Sequence, residues 1–409
     1  MTKNYILTAL VLLCSLIEIS AQDKDIIIGK VDSLYSDILS ENRKLLIHIP
    51  DSELENETHP VIYLFDASSN FEHTVATMKH LSQGGNQYWP KMIVVGIVNT
   101  DRTRDLTPYP VDTTADVWWL KNTGGGDKFM KFMADELIPF IDRKYPTKPY
   151  RTLIGHSYGG LMSINALDNY SNHFNNFIAI DPSLWWDNGK FNKNIIQTIT
   201  ERKFVNKSLF VSASDPDIND LDLEGLSKDT TLISRHVRSI IKFSQAVESN
   251  NQNGLQFDWD FYENENHVSI PLISTYNAMR STFSWYRFEN PYQFFEDSLT
   301  VDKLVNVVES HFARLTKKFE YEVLPPENWI NGYGYEVLWA KKYEKAFAFF
   351  SMNIKNYPNS PNVYASMAEY YISQNNTGKA IEYYNKVLQL KPSEEVKMKI
   401  KQLKDKNSH

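Results

Sequence analysis

The sequence predicts an α/β fold, in which a mostly parallel sheet is covered by helices and is followed by a small all-α module. From about residue 26 to residue 286, short runs rich in β-branched residues alternate with amphipathic helical stretches. Strands that alternate with helices imply right-handed crossover connections, and therefore a mostly parallel sheet. After residue 286 the strand pattern stops and only helical patterns follow.

Strand-like and helix-like segments can be placed individually in the first zone. The predicted strands are Lys44–Ile49, Val61–Phe65, Met92–Val98, Thr152–Ile154, Phe177–Ile180, Ser208–Ser212 and Leu255–Tyr262, and the predicted helices include Gly126–Tyr145, Gly159–Asn169 and a stretch with Ile233, Val237, Ile240, Ile241 and Val247 on one face. Apolar residues that recur about every 3.6 positions are typical of an amphipathic helix. The earliest strands are joined without a helix-length insert, so we expect that pair to be antiparallel.

The C-terminal zone contains an internal repeat. Three pairs of residues keep one common spacing: Ala346 and Ala380, Phe350 and Tyr384, and Pro358 and Pro392. This spacing and these residue types are typical of tetratricopeptide repeats, which we predict within residues 327–409 as a candidate site for a protein partner; a plain helical hairpin is the alternative. Two copies seldom stand alone, so we expect them to pack on a helical linker, residues 291–326, or on the preceding domain, residues 22–290.

Composition and charge indicate an ordinary globular protein. The 409 residues include 43 Lys and Arg and 50 Asp and Glu, with a formal net charge of −7, and 42% of the residues are hydrophobic. These proportions exclude a mainly disordered, collagenous or coiled-coil chain. Nucleic-acid binding needs a basic surface that neutralises phosphates, so the acidic balance argues against a nucleic-acid partner.

The segment 1–21 has the features of a signal peptide. Lys3 supplies a positive charge, Ile6–Ile17 is a mostly apolar run, and Ser20 and Ala21 are small residues before Gln22. A membrane-spanning helix needs about 20 apolar residues, and this run is shorter, so it predicts cleavage after export to the periplasm or the exterior. We therefore expect no membrane span in the mature chain.

Cysteine usage narrows the chemistry. Cys14 is the only cysteine and lies within the predicted signal peptide, so the mature chain would contain none. This excludes a disulfide-stabilised fold, a cysteine nucleophile and a thiolate-bound zinc. The sequence has no phosphate loop, dinucleotide fingerprint or metal-ligand spacing, so we expect no cofactor and no metal.

The strongest catalytic motif is Gly155-His156-Ser157-Tyr158-Gly159, which fits G-x-S-x-G between a predicted strand and a predicted helix. A sharp turn from strand to helix holds such a serine in a strained conformation, and the glycines let neighbouring backbone pass close by. The motif predicts Ser157 as a nucleophile and the amide of Tyr158 as part of an oxyanion hole. A glycine-rich turn with an inert serine is the alternative.

The nucleophile needs a base, because a serine hydroxyl alone is a weak nucleophile. With this motif the chain order is Ser, acid, His, so the base is expected on a loop after the last strand. His267 follows the strand Leu255–Tyr262 and precedes a predicted helix that opens at Pro271. The other histidines lie before the nucleophile (His48, His73), inside its motif in a packing or orienting position (His156), or around predicted helices (His173, His236).

The carboxylate that orients His267 is left open among several residues. The acid is expected after the strand Ser208–Ser212, where Asp215 is preferred and Asp217 is second. Three further candidates are Asp181, one strand earlier, and Glu263 and Glu265, beside the histidine. An Asp at such a position is otherwise a common loop or helix cap.

The remaining candidates concern the oxyanion hole and the substrate. The second oxyanion amide is expected in the loop after Val61–Phe65, where Ala67 is the best candidate. Trp185 and Trp186 follow a strand at the sheet edge where substrates bind, so either could wall an acyl or aryl pocket. Arg102 could bind a substrate anion, although such runs of alternating charge more often form internal ion pairs.

Taken together, residues 33 to 290 resemble the putative esterase family of alpha/beta hydrolases, which includes S-formylglutathione hydrolase, feruloyl esterases and trilactone esterases that open ferric siderophores. The matching segments are residues 60–66, 93–97, 155–160 and 267–272. The resemblance implies an alpha/beta-hydrolase fold and an exported serine carboxylesterase that acts on a small-molecule ester. The tetratricopeptide-like tail is similar to that of secreted members from Gram-negative bacteria.

Two other functions are compatible with the sequence. One is a non-catalytic hydrolase-fold scaffold that binds a partner through the helical repeats, against which the intact Ser157 and His267 count. The other is an acyltransferase that uses the same residues. Siderophore lactones, acylated sugars, aryl esters and thioesters all stay open as substrates.

Overall fold

The computed structural model describes residues 26–51, 57–83, 88–111, 122–216, 221–250 and 252–406. The predicted signal peptide and the candidate acid Asp217 lie outside these residues. Among the helices of the described ranges, none is both long enough and apolar enough to cross a membrane.

One eight-stranded sheet forms the centre of the described structure. Its strands are β1 Lys30–Ser36, β2 Glu41–His48, β3 His59–Leu64, β4 Ile93–Ile97, β5 Thr147–His156, β6 Asn176–Ile180, β7 Lys207–Ser214 and β8 Leu255–Tyr262. They lie in the order β1-β2-β4-β3-β5-β6-β7-β8. Strand β2 is antiparallel to β1 and β4, and every pairing among β3 to β8 is parallel. The predicted mostly parallel sheet and its antiparallel first pair are confirmed.

Helices connect the strands and continue beyond the sheet. They are α1 Ala67–Ser82, α2 Arg102–Asp105, α3 Gly126–Phe132, α4 Ile138–Lys144, α5 Tyr158–Asn169, α6 Lys190–Glu201, α7 Leu223–Lys228, α8 Arg235–Glu248, α9 Ile270–Thr282, α10 Val301–Phe319, α11 Glu327–Trp339, α12 Tyr343–Asn356, α13 Pro361–Ser373, α14 Thr377–Leu390 and α15 Glu394–Lys406. A π-helical turn, Met133–Leu137, joins α3 to α4, so the predicted helix Gly126–Tyr145 is continuous in position but not in hydrogen-bond pattern.

The central strands are mostly apolar because helices cover both faces of the sheet. Every residue of β3, β4 and β6 is buried. When helices cover both faces of a parallel sheet, the side chains on both faces of each central strand are buried. Such a strand is therefore a continuous apolar run, as in Ile93–Ile97, and not an alternation of polar and apolar residues.

The parallel arrangement brings four strand ends to one edge of the sheet. In register, His156 pairs with Ile180 across β5 and β6, and Ser214 pairs with Tyr262 across β7 and β8. The turns that leave these strands carry most of the predicted site residues. In open α/β sheets this carboxyl edge is where ligands bind, so the fold itself gathers the candidate site.

The C-terminal helices repeat with the same period as the sequence. Helices α11 and α13 begin at Glu327 and Pro361, and α12 and α14 begin at Tyr343 and Thr377. The first residues of α11 and α13 are as far apart in the sequence as Ala346 and Ala380, and the same holds for the first residues of α12 and α14. The region is therefore a pair of similar helical hairpins. Its assignment to tetratricopeptide repeats stays a prediction.

Helix α10 packs between the sheet domain and the first hairpin. Its Phe319 contacts Tyr150 of β5 with ring centroids 4.8 Å apart, and its Phe312 contacts Trp329 of α11 at 5.6 Å. These aromatic contacts belong to one apolar core that extends from the sheet into the hairpins. The two zones of the sequence are thus joined by buried surface and not only by a linker.

Two glycines in α11 allow a test of the close packing between the repeat helices. A Cβ on Gly334 would lie 2.6 Å from the ring of Phe350 in α12, whereas a Cβ on Gly332 would meet nothing within 4 Å. We expect Gly332→Ala to stabilise the protein by about 0.5–1 kcal/mol through helix propensity. Gly334→Ala should instead destabilise it by about 1–3 kcal/mol through overpacking.

Thermal unfolding midpoints of the two variants and the wild type measure this difference. Equal midpoints for Gly332→Ala and Gly334→Ala would show that the helices of the first hairpin do not cross as closely as described.

Candidate active site

Ser157 stands at a strained turn between β5 and α5. Its backbone has φ 61° and ψ −116°, a conformation that a residue with a side chain rarely adopts. A Cβ on Gly155 would lie 2.2 Å from the carbonyl carbon of Gly159, so only glycine fits there. The Ser157 amide donates to the Ile180 carbonyl at 3.0 Å, which ties the turn to β6. The predicted strand–turn–helix context of the motif is present.

His267 lies between β8 and α9, and its partner is Asp181. The distance from His267 Nδ1 to Asp181 Oδ2 is 2.6 Å. Asp181 is fully buried and directly follows β6, while the His267 side chain is 44% exposed. A carboxylate that accepts from Nδ1 leaves Nε2 as the ring's proton acceptor, which is the tautomer a general base requires.

The carboxylate that His267 Nδ1 contacts is thus Asp181, one of the alternative candidates, and not the preferred Asp215. The Asp215 amide donates to the carbonyls of Tyr262 and Glu265, which holds it in the turn after β7, and its side chain lines the cavity. Strand β7 extends to Ser214, whose amide and hydroxyl both donate to the Asp181 carboxylate, at 3.0 and 2.8 Å. The end of β7 thus supplies hydrogen-bond donors to the carboxylate that His267 contacts.

The surroundings of Asp181 keep it ionised. Burial alone would raise the pKa of its carboxyl group. The interactions of the carboxylate with the nearby His236 and His267 rings outweigh burial and hold the pKa of Asp181 well below its usual range. The two bonds from Ser214 favour the carboxylate in the same direction. A buried anion at this position is a permanent partner for His267 at neutral pH.

Ser157 and His267 face one cavity of about 520 Å³. Ser157, Tyr158, Ser183, Trp185, Ser214, Asp215, Pro216, His236, Val237, Asn266 and His267 line it. The Ser157 hydroxyl lies 3.4 Å from the Ser183 hydroxyl, and no hydrogen bond joins Ser157 to His267 within the described residues. Catalytic hydrogen bonds are often long without substrate and tighten when substrate binds.

The two predicted oxyanion amides both belong to first residues of helices. Tyr158 opens α5 and Ala67 opens α1, so neither amide has an acceptor within its own helix. Donors of this kind, at the positive end of a helix dipole, suit a developing negative charge. Asp66, just before Ala67, has φ 53° and sets the direction in which α1 begins.

Arg102 is an internal ion-pair partner in this structure. Its Nε and Nη2 donate to the two carboxylate oxygens of Asp66 at 2.7 and 2.9 Å, and Nη2 also donates to the carbonyl of His156 at 3.3 Å. Its guanidinium lies 5.3 Å from the centre of the Tyr158 ring. Arg102 thus links the loop before Ala67 to the turn at Ser157. The alternative of an internal ion pair is thus present, with Asp66 as the partner, and a substrate contact by Arg102 stays a prediction.

The two tryptophans have different positions. Trp185 is partly exposed and lines the cavity. Trp186 is fully buried and packs edge-on against Tyr158, with ring centroids 5.6 Å apart. Trp186 therefore does not line the cavity, because its indole is buried beneath the turn at Ser157. Trp185 keeps the position expected of a substrate contact.

His156, the residue before Ser157 in the G-x-S-x-G motif, contacts the ring of His267. Its ring centroid lies 4.6 Å from that of His267. Burial, with a smaller effect from His267, lowers the pKa of His156 to about 4, so the ring is neutral at physiological pH. This agrees with the predicted packing or orienting position.

A metal ion fits this cluster poorly. Ligand atoms of His156, Asp181 and His267 lie within 4.8 Å of one another. Two ligands of one tetrahedral zinc, at about 2.1 Å from the ion, would be roughly 3.3 Å apart. The 2.6 Å between His267 Nδ1 and Asp181 Oδ2 is a hydrogen-bond length, so this pair is built to hold a proton.

Three residues of the site were missed by sequence reasoning. Ser183 and Ser214 belong to no motif, and His236 falls in a predicted helix away from the expected loop. His236 is the second residue of α8, and its Nε2 lies 3.2 Å from Asp181 Oδ2. The signal that could have found it is its place in the first turn of a helix that follows a parallel strand, because such helix starts face the carboxyl edge of the sheet.

Sequence comparisons connect the chain to esterases. Residues 36–211 match the model of the family described as "Putative esterase". A siderophore enterobactin esterase of Emericella nidulans is 30% identical over 171 residues, which is 38% of this chain and 54% of that protein. A siderophore triacetylfusarinine C esterase of Aspergillus fumigatus is 28% identical over 149 residues, or 34% and 50%. The chain thus spans about half the length of these relatives.

Solved structures share the fold. An IroE-like serine hydrolase from Shewanella oneidensis has a TM-score of 0.66 and 26% identity, over 80% of this chain and 98% of its own. A protein from Capnocytophaga ochracea has a TM-score of 0.59 and 16% identity over 92% of this chain and 99% of its own, and shows the fold alone. The resemblance expected from the sequence is therefore confirmed: residues 36–211 match the Putative esterase family, within an alpha/beta-hydrolase fold.

Proposed function

We propose that this protein is an exported serine carboxylesterase in which Ser157, His267 and Asp181 form the catalytic triad. The observation that carries the proposal is the arrangement of one cavity. A serine at a strained strand-to-helix turn and a histidine bound to a buried carboxylate face the same space. The match to the esterase family supports the same reaction class.

In the first half of the proposed reaction, Ser157 Oγ attacks the ester carbonyl. His267 Nε2 takes the serine proton while Asp181 holds Nδ1–H and stabilises the imidazolium. The amides of Tyr158 and Ala67 are placed at helix starts where they can stabilise the oxyanion. The intermediate then collapses, the bond to the alcohol oxygen breaks, and His267 donates its proton to the departing alcohol.

In the second half, water replaces the alcohol. His267 removes a proton from water, which attacks the acyl-enzyme carbonyl, and the carboxylic acid leaves as Ser157 regains its proton. The half-exposed His267 and the open cavity give water a path to the acyl group. The acyltransferase alternative differs only in the acceptor, so competition between an alcohol and water for the acyl group separates the two.

A siderophore ester is the substrate class that we propose first. The curated relatives include enzymes named for siderophore esters in Emericella nidulans and Aspergillus fumigatus. The cavity supports an aromatic or bulky acyl group, because the Trp185 ring stands in its wall beside the Tyr158 ring, with centroids 6.3 Å apart. The role of the C-terminal hairpins in binding a protein partner is a separate proposal.

Substitution of the nucleophile tests the enzyme against the non-catalytic scaffold. We expect Ser157→Ala to lower the turnover of a p-nitrophenyl ester by about a million-fold, since the nucleophile is lost. A fluorophosphonate probe should label the wild type at Ser157 and leave Ser157→Ala unlabelled. A folded wild-type protein that neither labels nor turns over any ester in a panel would favour the scaffold.

A pair of Asp variants tests the identity of the acid. We expect Asp181→Asn to lower kcat roughly ten-thousand-fold, because the amide no longer holds the required histidine tautomer. Asp215→Asn is the matched control and should change kcat by less than about tenfold, since the hydrogen bond of His267 Nδ1 goes to Asp181. Steady-state kinetics on one ester measures both. The reverse order of effects would restore Asp215 as the acid.

The export part of the proposal has its own test. Expression of the full chain in a Gram-negative host should yield a protein that begins at Gln22, because Ser20 and Ala21 supply the small residues of a cleavage site. N-terminal sequencing of the periplasmic and secreted fractions measures this. An intact N-terminus in the cytoplasmic fraction would contradict export.

A further inference from the structure

Asp181 faces two imidazoles and not one. Its Oδ2 lies 2.6 Å from His267 Nδ1 and 3.2 Å from His236 Nε2. The carboxylate comes from the end of β6, His267 from the loop after β8, and His236 from the first turn of α8. Three separate elements therefore converge on one buried oxygen atom.

His236 also packs against the ring of the proposed base. The centroids of the His236 and His267 rings are 5.0 Å apart, and the ring planes meet at 87°. An edge-to-face contact of this kind restricts rotation of both rings. The 26%-exposed side chain of His236 lies in the wall of the Ser157 cavity, so it restrains His267 without closing the space in which substrate would lie.

The His236 ring nitrogen needs a partner. Its Nε2 is buried and, within the described residues, makes no well-directed hydrogen bond, although Asp181 Oδ2 is within reach. A buried donor without an acceptor is costly, so a small rotation of the ring toward Asp181 is favourable. That rotation would complete a second imidazole hydrogen bond to the carboxylate.

We propose that His236 is a positioning residue of the reaction, an inference that rests on the proposed esterase function. Its Nε2–H donates to Asp181 Oδ2 and fixes the carboxylate, while its ring edge fixes the plane of the His267 ring. Together these contacts hold His267 in the orientation that directs Nε2 toward Ser157. His236 itself takes no part in bond making or breaking.

The hydrogen bond from His236 also has an electrostatic consequence. A donor from His236 partly satisfies the Asp181 carboxylate and so weakens its electrostatic interaction with His267. Asp181 after β6 contacts both His236 and His267, and His156 at the end of β5 contacts the His267 ring; Asp215 after β7 lines the same cavity, and the neighbouring Arg235 lies 5.0 Å from the Trp185 ring. Loss of the His236 donor leaves the Asp181 carboxylate freer to stabilise protonated His267. The acid limb of the pH profile of kcat/KM then moves to higher pH.

Two variants at position 236 test the contributions of the N–H donor and of the aromatic ring separately. His236→Phe keeps an aromatic ring but removes the N–H, and we expect kcat to fall roughly 10–100-fold, the range known for groups that orient metal-bound histidines, with little change in KM. The acid limb should move to higher pH. His236→Gln keeps an N–H at similar reach, so it should recover most of the lost kcat and return the acid limb toward the wild-type position.

The control is His80→Gln, which changes an exposed histidine of α1 and should leave kcat and the pH profile as in the wild type. If phenylalanine is not tolerated at 236, as judged by the thermal midpoint, His236→Ala takes its place. A loss of kcat without any movement of the acid limb, or equal losses in His236→Phe and His236→Gln, would reduce His236 to a packing residue.

The outcome also separates this inference from the function on which it rests. An active wild type, an inactive Ser157→Ala and a His236→Phe variant with wild-type kcat and pH profile would overturn the inference alone. A wild type as inactive as Ser157→Ala on every ester would overturn the proposed function itself.

Discussion

The site depends on one backbone constraint, the turn at which β5 becomes α5. Ser157 holds a positive φ there because the chain reverses within a few residues, and the space at Gly155 is too small for any side chain. Two hydrogen bonds hold the strained turn in place. The Ser157 amide donates to Ile180, and the Ser183 amide donates to the Ser157 carbonyl at 3.1 Å. The end of β6 and the turn after it therefore hold the proposed nucleophile in place and carry the proposed acid, Asp181, in one short segment.

The same coupling places the proposed acid directly after β6. Asp181 is the next residue after Ile180, and its own φ of 42° turns its carboxylate back over the sheet edge. The neighbouring β7 runs long enough to supply the Ser214 amide and hydroxyl to this carboxylate. Because donors surround the buried charge, the carboxylate needs no solvent, and it can bind His267 from a place where water cannot compete.

A second ionic contact organises the other side of the site. Arg102 binds Asp66 in a two-point contact and reaches the carbonyl of His156, so one side chain links the two loops that carry the proposed oxyanion amides. The link is partly exposed, and its value lies in geometry more than in stability. The helical hairpins take no part in this arrangement within the described residues; they extend the apolar core through α10.

The sequence alone determined the features that depend on neighbours along the chain. The alternation of strands and helices, the glycines around Ser157, the late loop of His267 and the period of the C-terminal repeat are all local patterns, and each corresponds to a local backbone geometry. The fold class, the strand-to-helix turn at Ser157 and the loop position of His267 were predictable for that reason, as was the antiparallel first pair of strands.

Only the tertiary structure decided which side chains meet. Asp181 and His267 are 86 residues apart, and several carboxylates near the sheet edge were candidates by sequence. Which of them contacts His267 depends on where each strand ends relative to its neighbours, and β7 extends to Ser214, which donates to Asp181. The burial of Trp186, the pairing of Arg102 with Asp66 and the approach of His236 to Asp181 are likewise long-range contacts. Residue spacing does not encode them, because they follow from the packing of elements distant in the chain.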